Sequence, residues 1–182
     1  MKEIEIKAKL RDKKSVMKKL ESLGCKFESA ITQEDRVYLE GNVSTENLLG
    51  NMDGKIVLRL RVKNGSKVLF TLKKRTKIHL EAIEHELEVS SLDEMEKIIL
   101  LMGYKESVRV NKTRIITHYK GDEICIDDVE GLGTFIEMER LVSDGDAKEI
   151  QEELFKFFEK IGISRKDRVL FGYDILMLKK LK

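Results

Sequence analysis

From its second residue the chain alternates apolar and charged side chains at the period of a β-strand. In a strand over Glu3–Leu10, Ile4, Ile6 and Ala8 share one face, and Glu3, Glu5 and Lys7 the other. The pattern recurs with Ile56, Leu58, Leu60 and Val62 against Arg59 and Arg61, and with Val68, Phe70 and Leu72 against Thr71, Lys73 and Arg75. His85, Leu87 and Val89 oppose Glu84, Glu86 and Glu88, and Ile136 and Met138 oppose Glu137 and Glu139. Further strands are predicted around Gln33–Leu39, over Val108–Tyr119 with Lys112 and Arg114, and over Glu123–Val129 with Asp127. Asn64-Gly65 and Gly121-Asp122 mark hairpin turns, and so does Gly131-Leu132-Gly133, whose glycines lack the Lys-Ser/Thr pair of a phosphate loop.

Helical spacing takes over in three places. Asp12 is a candidate N-cap for a helix through Val16, Met17, Leu20 and Leu23 that stops at Gly24. Ser91 and Glu94 form a capping box for Leu92–Met102, which stops at Gly103. Ala147–Ile161, capped by Asp144 or Asp146, carries an apolar stripe of Ile150, Leu154, Phe157, Phe158 and Ile161. A short basic-ended helix is expected in the tail GYDILMLKKLK, its apolar side against the domain. The polar, Gly- and Asn-bearing stretch GNVSTENLLGNMDGK has no period and reads as a functional or mobile loop.

Superposing Glu5 on Glu84 also superposes Gly24 on Gly103, so strand-helix units repeat at one offset. The expected organisation is one domain over residues 1–182, with pseudo-repeats of about 1–80 and 81–163 and a helical tail over 164–182. Two such halves about a pseudo-twofold axis close naturally into one barrel. The expected fold class is α+β: an eight-stranded antiparallel closed barrel with helices on its outside. Apolar helix stripes must then cover the apolar strand faces, which turns the charged faces inward.

Composition sharpens that inversion. Of 182 residues 41% are hydrophobic and 37% charged, against about 25% charged in an average soluble protein. The excess therefore needs a specific place. Because 35 basic and 33 acidic residues nearly cancel, a broad nucleic-acid surface is not expected. Cys25 and Cys125 stand alone and read as small buried residues rather than metal ligands or a disulfide. No apolar run reaches the ~18 residues of a membrane span, and the first strand leaves no room for a leader, so the expected location is cytoplasmic. His79, His85 and His118 lack ligand spacing and are assigned structural roles. Glu88 and Arg75, taken singly, read as surface charges.

An interior lined by Glu3, Glu5, Glu84, Glu86, Asp127, Glu137 and Glu139 facing Lys7, Arg59, Arg61, Lys73, Lys112 and Arg114 would be costly if dry. It should be wet and wide enough for a polyanion. Paired carboxylates suit hard divalent cations, and arginine and lysine suit phosphate oxygens. A metal-triphosphate site follows.

The Glu3-x-Glu5-x-Lys7 opening, Gln33-x-Asp35, LRLR with Arg59 and Arg61, TLKK with Lys73, the Glu84/Glu86 pair, Lys112-x-Arg114 and IDDVEGLGTFIEME together resemble the CYTH superfamily over nearly the whole chain. That family unites class IV adenylyl cyclases with thiamine and inorganic triphosphatases. The resemblance implies the triphosphate tunnel fold, with Glu3, Glu5, Glu137 and Glu139 holding Mg2+ or Mn2+. It implies triphosphate binding by Lys7, Arg59, Arg61, Lys73, Lys112 and Arg114, catalytic roles for Glu3, Glu5, Lys7, Lys112 and Arg114, and support from Glu84, Glu86 and Asp127. It also implies a homodimer. The Gly172-Tyr173-Asp174-Ile175-Leu176 tail is similar to that of class IV cyclases, so the expected activity is ATP to cyclic AMP and pyrophosphate. Triphosphate hydrolysis is the first alternative and non-catalytic binding of nucleotide or polyphosphate the second. Val37 departs from the aromatic residue usual after Gln-x-Asp, which leaves leaving-group or base contacts in that strand open, and no general base stands out.

Overall fold

The computed structural model describes residues 2–41 and 53–181. The aperiodic loop expected after Glu40 lies mostly outside them. Among the described residues the element order is β1 (Lys2–Lys9), α1 (Lys13–Ser22), β2 (Ile31–Glu40), β3 (Ile56–Lys63), β4 (Lys67–Arg75), β5 (Glu81–Val89), α2 (Leu92–Leu101), β6 (Tyr104–Tyr119), β7 (Asp122–Val129), β8 (Gly133–Val142), α3 (Ala147–Lys160), a 3-10 turn (Arg165–Asp167), β9 (Arg168–Val169) and α4 (Tyr173–Lys180). Strand, helix and three strands thus occur twice in succession.

The strands order as β5-β4-β3-β2-β6-β7-β8-β1, all antiparallel, and β5 pairs back onto β1 to close an eight-stranded barrel. Beyond the β5 contact, β1 is extended by β9 through Lys7–Val169 and Ala8–Arg168. Closure removes the free edges that would otherwise recruit other strands.

Among the described residues three helices pack on the outside of the barrel and a fourth lies across one end. Helix α1 starts where Asp12 accepts from the Ser15 amide at 2.9 Å. Gly24, past its end, and Gly103, past α2, take φ of 87° and 89°, a left-handed stop that glycine adopts without a Cβ penalty. Val16 and Leu20 of α1 join Leu154, Phe155 and Phe158 of α3 over the outer faces of β1, β7 and β8, where Ile6, Ile124, Ile126, Ile136 and Met138 are buried. Burying one such side chain contributes about 1.5–3 kcal/mol. Ile99 of α2 packs on Tyr38, Leu58 and Leu60 in the same way. Asp146, rather than Asp144, caps α3, accepting from the amides of Lys148 and Glu149.

The expected covering of apolar strand faces fails on β5. Ile83, His85 and Leu87 face outward and remain exposed, because α2 lies over β3 and β6 and does not extend across β5.

Helix α4 lies across one end of the barrel. Ile175 and Leu178 pack with Val37, Leu39, Val57 and Val108, all inward-facing, while Tyr173 packs with Val110, Val129 and Phe135. The tail therefore does more than rest on the domain: it closes that end with an apolar floor. Lys180 fixes its far end by donating to the carbonyl of Gly131 at 2.5 Å. Val37 belongs to this floor, which explains an aliphatic residue there, while Tyr38 faces outward and donates to Glu96 at 2.5 Å.

Candidate active site

Above the floor the barrel encloses a cavity of about 430 Å³ lined by the charged faces of the strands. All thirteen charged residues singled out from the sequence line it except Asp127, which sits in its wall, fully buried. Strand registers bring opposite charges face to face at alternate interfaces. Lys7 stands opposite Glu137 (β1–β8), Arg114 opposite Asp127 (β6–β7), Arg61 opposite Asp35 (β2–β3), and Lys73 opposite Glu84 (β4–β5). Cross-strand partners lie within ~5.5 Å at Cβ, so each pair is bonded as a consequence of register alone.

The pairs are tight. Arg61 donates to both oxygens of Asp35, at 2.6 and 2.8 Å. Arg114 does the same to Asp127, at 2.7 and 2.5 Å, and also bonds Glu137. Lys7, only 2% exposed, lies 2.9 Å from Glu137 and 3.0 Å from Glu5. Lys73 bonds Glu84 and lies 3.5 Å from Glu3. Glu86 accepts from Thr71 at 2.9 Å and from Arg59 at 3.4 Å, so the Glu84/Glu86 pair contacts cations of the neighbouring strands.

These contacts divide the titrations into two groups. Burial pushes carboxyls up, yet Arg61 holds Asp35 below its ordinary range, and Lys7 and Arg114 hold Glu137 well below it. Burial together with Glu137 raises Glu5. Burial with Glu3, Glu5 and Glu123 raises Glu139 to about 8. Burial and the neighbouring Arg114 push the Lys112 ammonium down to about 8.

Several lining residues were not among the candidates. Glu123 stands beside Glu139 across β7–β8, and Lys63 extends the inward row of Arg59 and Arg61. Both are in step with recognised neighbours, which was the available signal. Gln33 and Asp35 of the Gln-x-Asp motif are buried in the cavity wall. Arg75 is not a free surface charge: it lines the cavity and meets Asp174 of α4 at 2.8 Å. Glu88 is exposed and pairs with Lys67, as expected of a surface residue.

The family model for the CYTH domain matches residues 1–173. The chain belongs to the CYTH family. It is 34% identical over 173 residues to a Methanocaldococcus jannaschii protein named a putative adenylate cyclase, covering 94% of this chain and 95% of that one. The structure of a Pyrococcus horikoshii protein is similar to this CYTH chain with a TM-score of 0.80 and 29% identity, over 98% and 99% of the two chains. A Hippeastrum protein, described as a putative adenylyl cyclase with a dominant triphosphatase activity, shares the fold at a TM-score of 0.60 and 17% identity, over 94% and 91%.

CYTH enzymes depend on metal, and the donor set of this one fits a hard divalent cation. Glu3, Glu5, Glu123 and Glu139 supply clustered carboxylate oxygens whose mutual repulsion a cation would relieve. The Glu5 Oε1 atom is buried without a hydrogen bond, the nearby Lys7 ammonium being out of alignment with it. Among the described residues no three such groups converge on one point as they stand, because Glu3, Glu5 and Glu137 each lean on a lysine.

Proposed function

We propose that this CYTH chain is a divalent-metal-dependent adenylyl cyclase of class IV type. The observation that carries the triphosphate part is the inward array of Lys7, Arg59, Arg61, Lys73, Lys112 and Arg114 in one cavity closed at one end. Six cations at fixed positions can neutralise the charge that spreads over phosphoryl oxygens as a bond breaks, which is most of the catalysis such transfer needs. Arginine forks and lysine point charges together suit the non-bridging oxygens of three linked phosphates.

In the reaction the ribose 3′-oxygen attacks the α-phosphorus, its proton leaves, and the bond to the β-phosphate oxygen breaks to release pyrophosphate. Glu3, Glu5, Glu137 and Glu139 would hold Mg2+ or Mn2+, which supplies Lewis-acid polarisation of a phosphoryl oxygen. The cations bind and orient the chain, and Asp35, Asp127, Glu84 and Glu86 hold four of them in place. Cyclisation is favoured over hydrolysis by the name of the 34% identical relative. The activity stated for the Hippeastrum protein favours the second reading, water attacking the terminal phosphorus.

Product mass separates the two. With ATP and Mn2+ the expected products are cyclic AMP and pyrophosphate; orthophosphate from ATP and from tripolyphosphate would replace the cyclase by a triphosphatase. Tight binding with no turnover in Mg2+ or Mn2+ would leave a nucleotide or polyphosphate sensor.

Lys112 predicts a proton linkage. Burial and Arg114 push its ammonium down to about 8, and a bound polyanion favours the charged form and so raises that value. Binding of tripolyphosphate at pH 8–9 should therefore take up a fraction of a proton, and affinity should fall as pH rises through 8. Calorimetry in buffers of different ionisation enthalpy reads the uptake directly, and Lys112→Met should lower it, leaving the part due to Glu139, whose carboxyl is raised to about 8 in the same cavity. Equal uptake in both proteins would refute the assignment.

A further inference from the structure

Tyr173 stands where the apolar floor meets the charged wall. It is the first residue of α4, and its ring packs edge-on against Phe135 with centroids 5.2 Å apart. Its hydroxyl donates to Asp127 at 2.9 Å. The Lys7 ammonium lies 4.1 Å and the Lys112 ammonium 4.9 Å from the ring centroid. Those lysines belong to β1 and β6, which β7 and β8 separate in the barrel. One aromatic ring therefore joins two like charges that no strand register brings together.

Each lysine side chain loses rotamer freedom when it is fixed. An electron-rich ring face attracts an ammonium and can impose that order before any anion arrives. Burial and the carboxylates of Glu137 and Asp127 keep the phenol protonated, so the hydroxyl remains a donor and anchors the ring.

We propose that Tyr173 is a positioning residue that presets the Lys7 and Lys112 ammoniums, through its ring, for a phosphate group of the substrate. The inference rests on the triphosphate reading of the cavity. It assigns to α4 a part in substrate binding distinct from closing the barrel, because closure needs the bulk of Tyr173 and presetting needs its π-electrons.

Shape and electronics can be varied separately. Tyr173→Phe keeps the ring and removes the bond to Asp127. Pentafluorophenylalanine at position 173 keeps the shape of phenylalanine and reverses the polarity of the ring face. Tripolyphosphate binding to the full chain, measured calorimetrically without metal, is expected to stay within about threefold of wild type for Tyr173→Phe and to weaken about tenfold further for the fluorinated ring. Ring-current shifts on the ε-methylenes of Lys7 and Lys112, read by NMR without ligand, should persist in Tyr173→Phe. In a Lys112→Met background the fluorination effect should shrink to about threefold. Equal affinity of the phenylalanine and pentafluorophenylalanine proteins, or an undiminished effect in that background, would overturn this inference alone. Absence of tripolyphosphate binding by the wild-type chain would overturn it together with the triphosphate reading.

Discussion

Replacing Asp127 with alanine is expected to lower folding stability by about 3–5 kcal/mol, the usual penalty for breaking a buried ion pair from one side. Asp127 is 0% exposed, so its carboxylate is satisfied by protein partners rather than by solvent. It accepts two bonds from Arg114 and one from Tyr173, and lies 3.6 Å from Lys112. Truncation leaves Arg114 with Glu137 alone and leaves Lys112 beside an arginine without its compensating anion. For a chain of this size the melting temperature should drop on the order of 10 °C. In urea the midpoint should fall at unchanged slope. Asp127→Asn keeps the shape and an acceptor for Tyr173, so its loss should be smaller. A shift below ~1 kcal/mol in Asp127→Ala would mean that the arginine finds water or Glu137 sufficient.

Asp127 also marks the boundary of what the sequence discloses. Its strand, like β1, β3, β4, β5 and β8, was legible because a barrel with a charged lumen writes its inside and outside at period two. The inverted sign of that pattern carried the cavity with it. The bonds of Asp127 were not legible, since the register that sets Arg114 opposite it depends on the stagger of the whole barrel. Glu123 and Lys63 were within reach, each being two or four residues from a recognised inward charge on its own strand. Tyr173 and Asp174 were not, because they come from a helix and reach partners 46 and 99 residues away.

Local irregularity hid the start of β6 as well. The strand begins at Tyr104, ahead of the alternation from Val108, because Ser107 is an extra residue opposite the step between Val37 and Tyr38. A bulge of this kind shifts the faces by one and breaks the period on which strand recognition relies. The exposed outer face of β5 has the converse cause. Its apolar alternation is that of a covered strand, yet among the described residues no helix lies over it and Ile83 and Leu87 stay exposed.

Glu137→Gln should separate holding a metal from merely balancing charge. Glu137 faces the cavity, bonds both Lys7 and Arg114, and is ionised under all ordinary conditions because those two cations hold its pKa down. Glutamine keeps its length and an acceptor oxygen for Lys7 but removes the negative charge. Two consequences of opposite sign follow. Without metal, the cavity gains one unit of positive charge and Lys7 and Arg114 each lose one anionic partner while keeping Glu5 and Asp127, so tripolyphosphate should bind about tenfold tighter, equivalent to ~1.4 kcal/mol. With Mg2+ or Mn2+, loss of a charged ligand should lower turnover by about 10²–10³-fold, the range seen when one preorganised electrostatic contact is removed. The melting temperature should change less than in Asp127→Ala, because the amide oxygen still accepts from one of the two cations and Arg114 keeps both of its bonds to Asp127. Turnover near the wild-type level, with tighter metal-free binding, would confine Glu137 to charge balance and leave Glu3, Glu5 and Glu139 as the metal ligands.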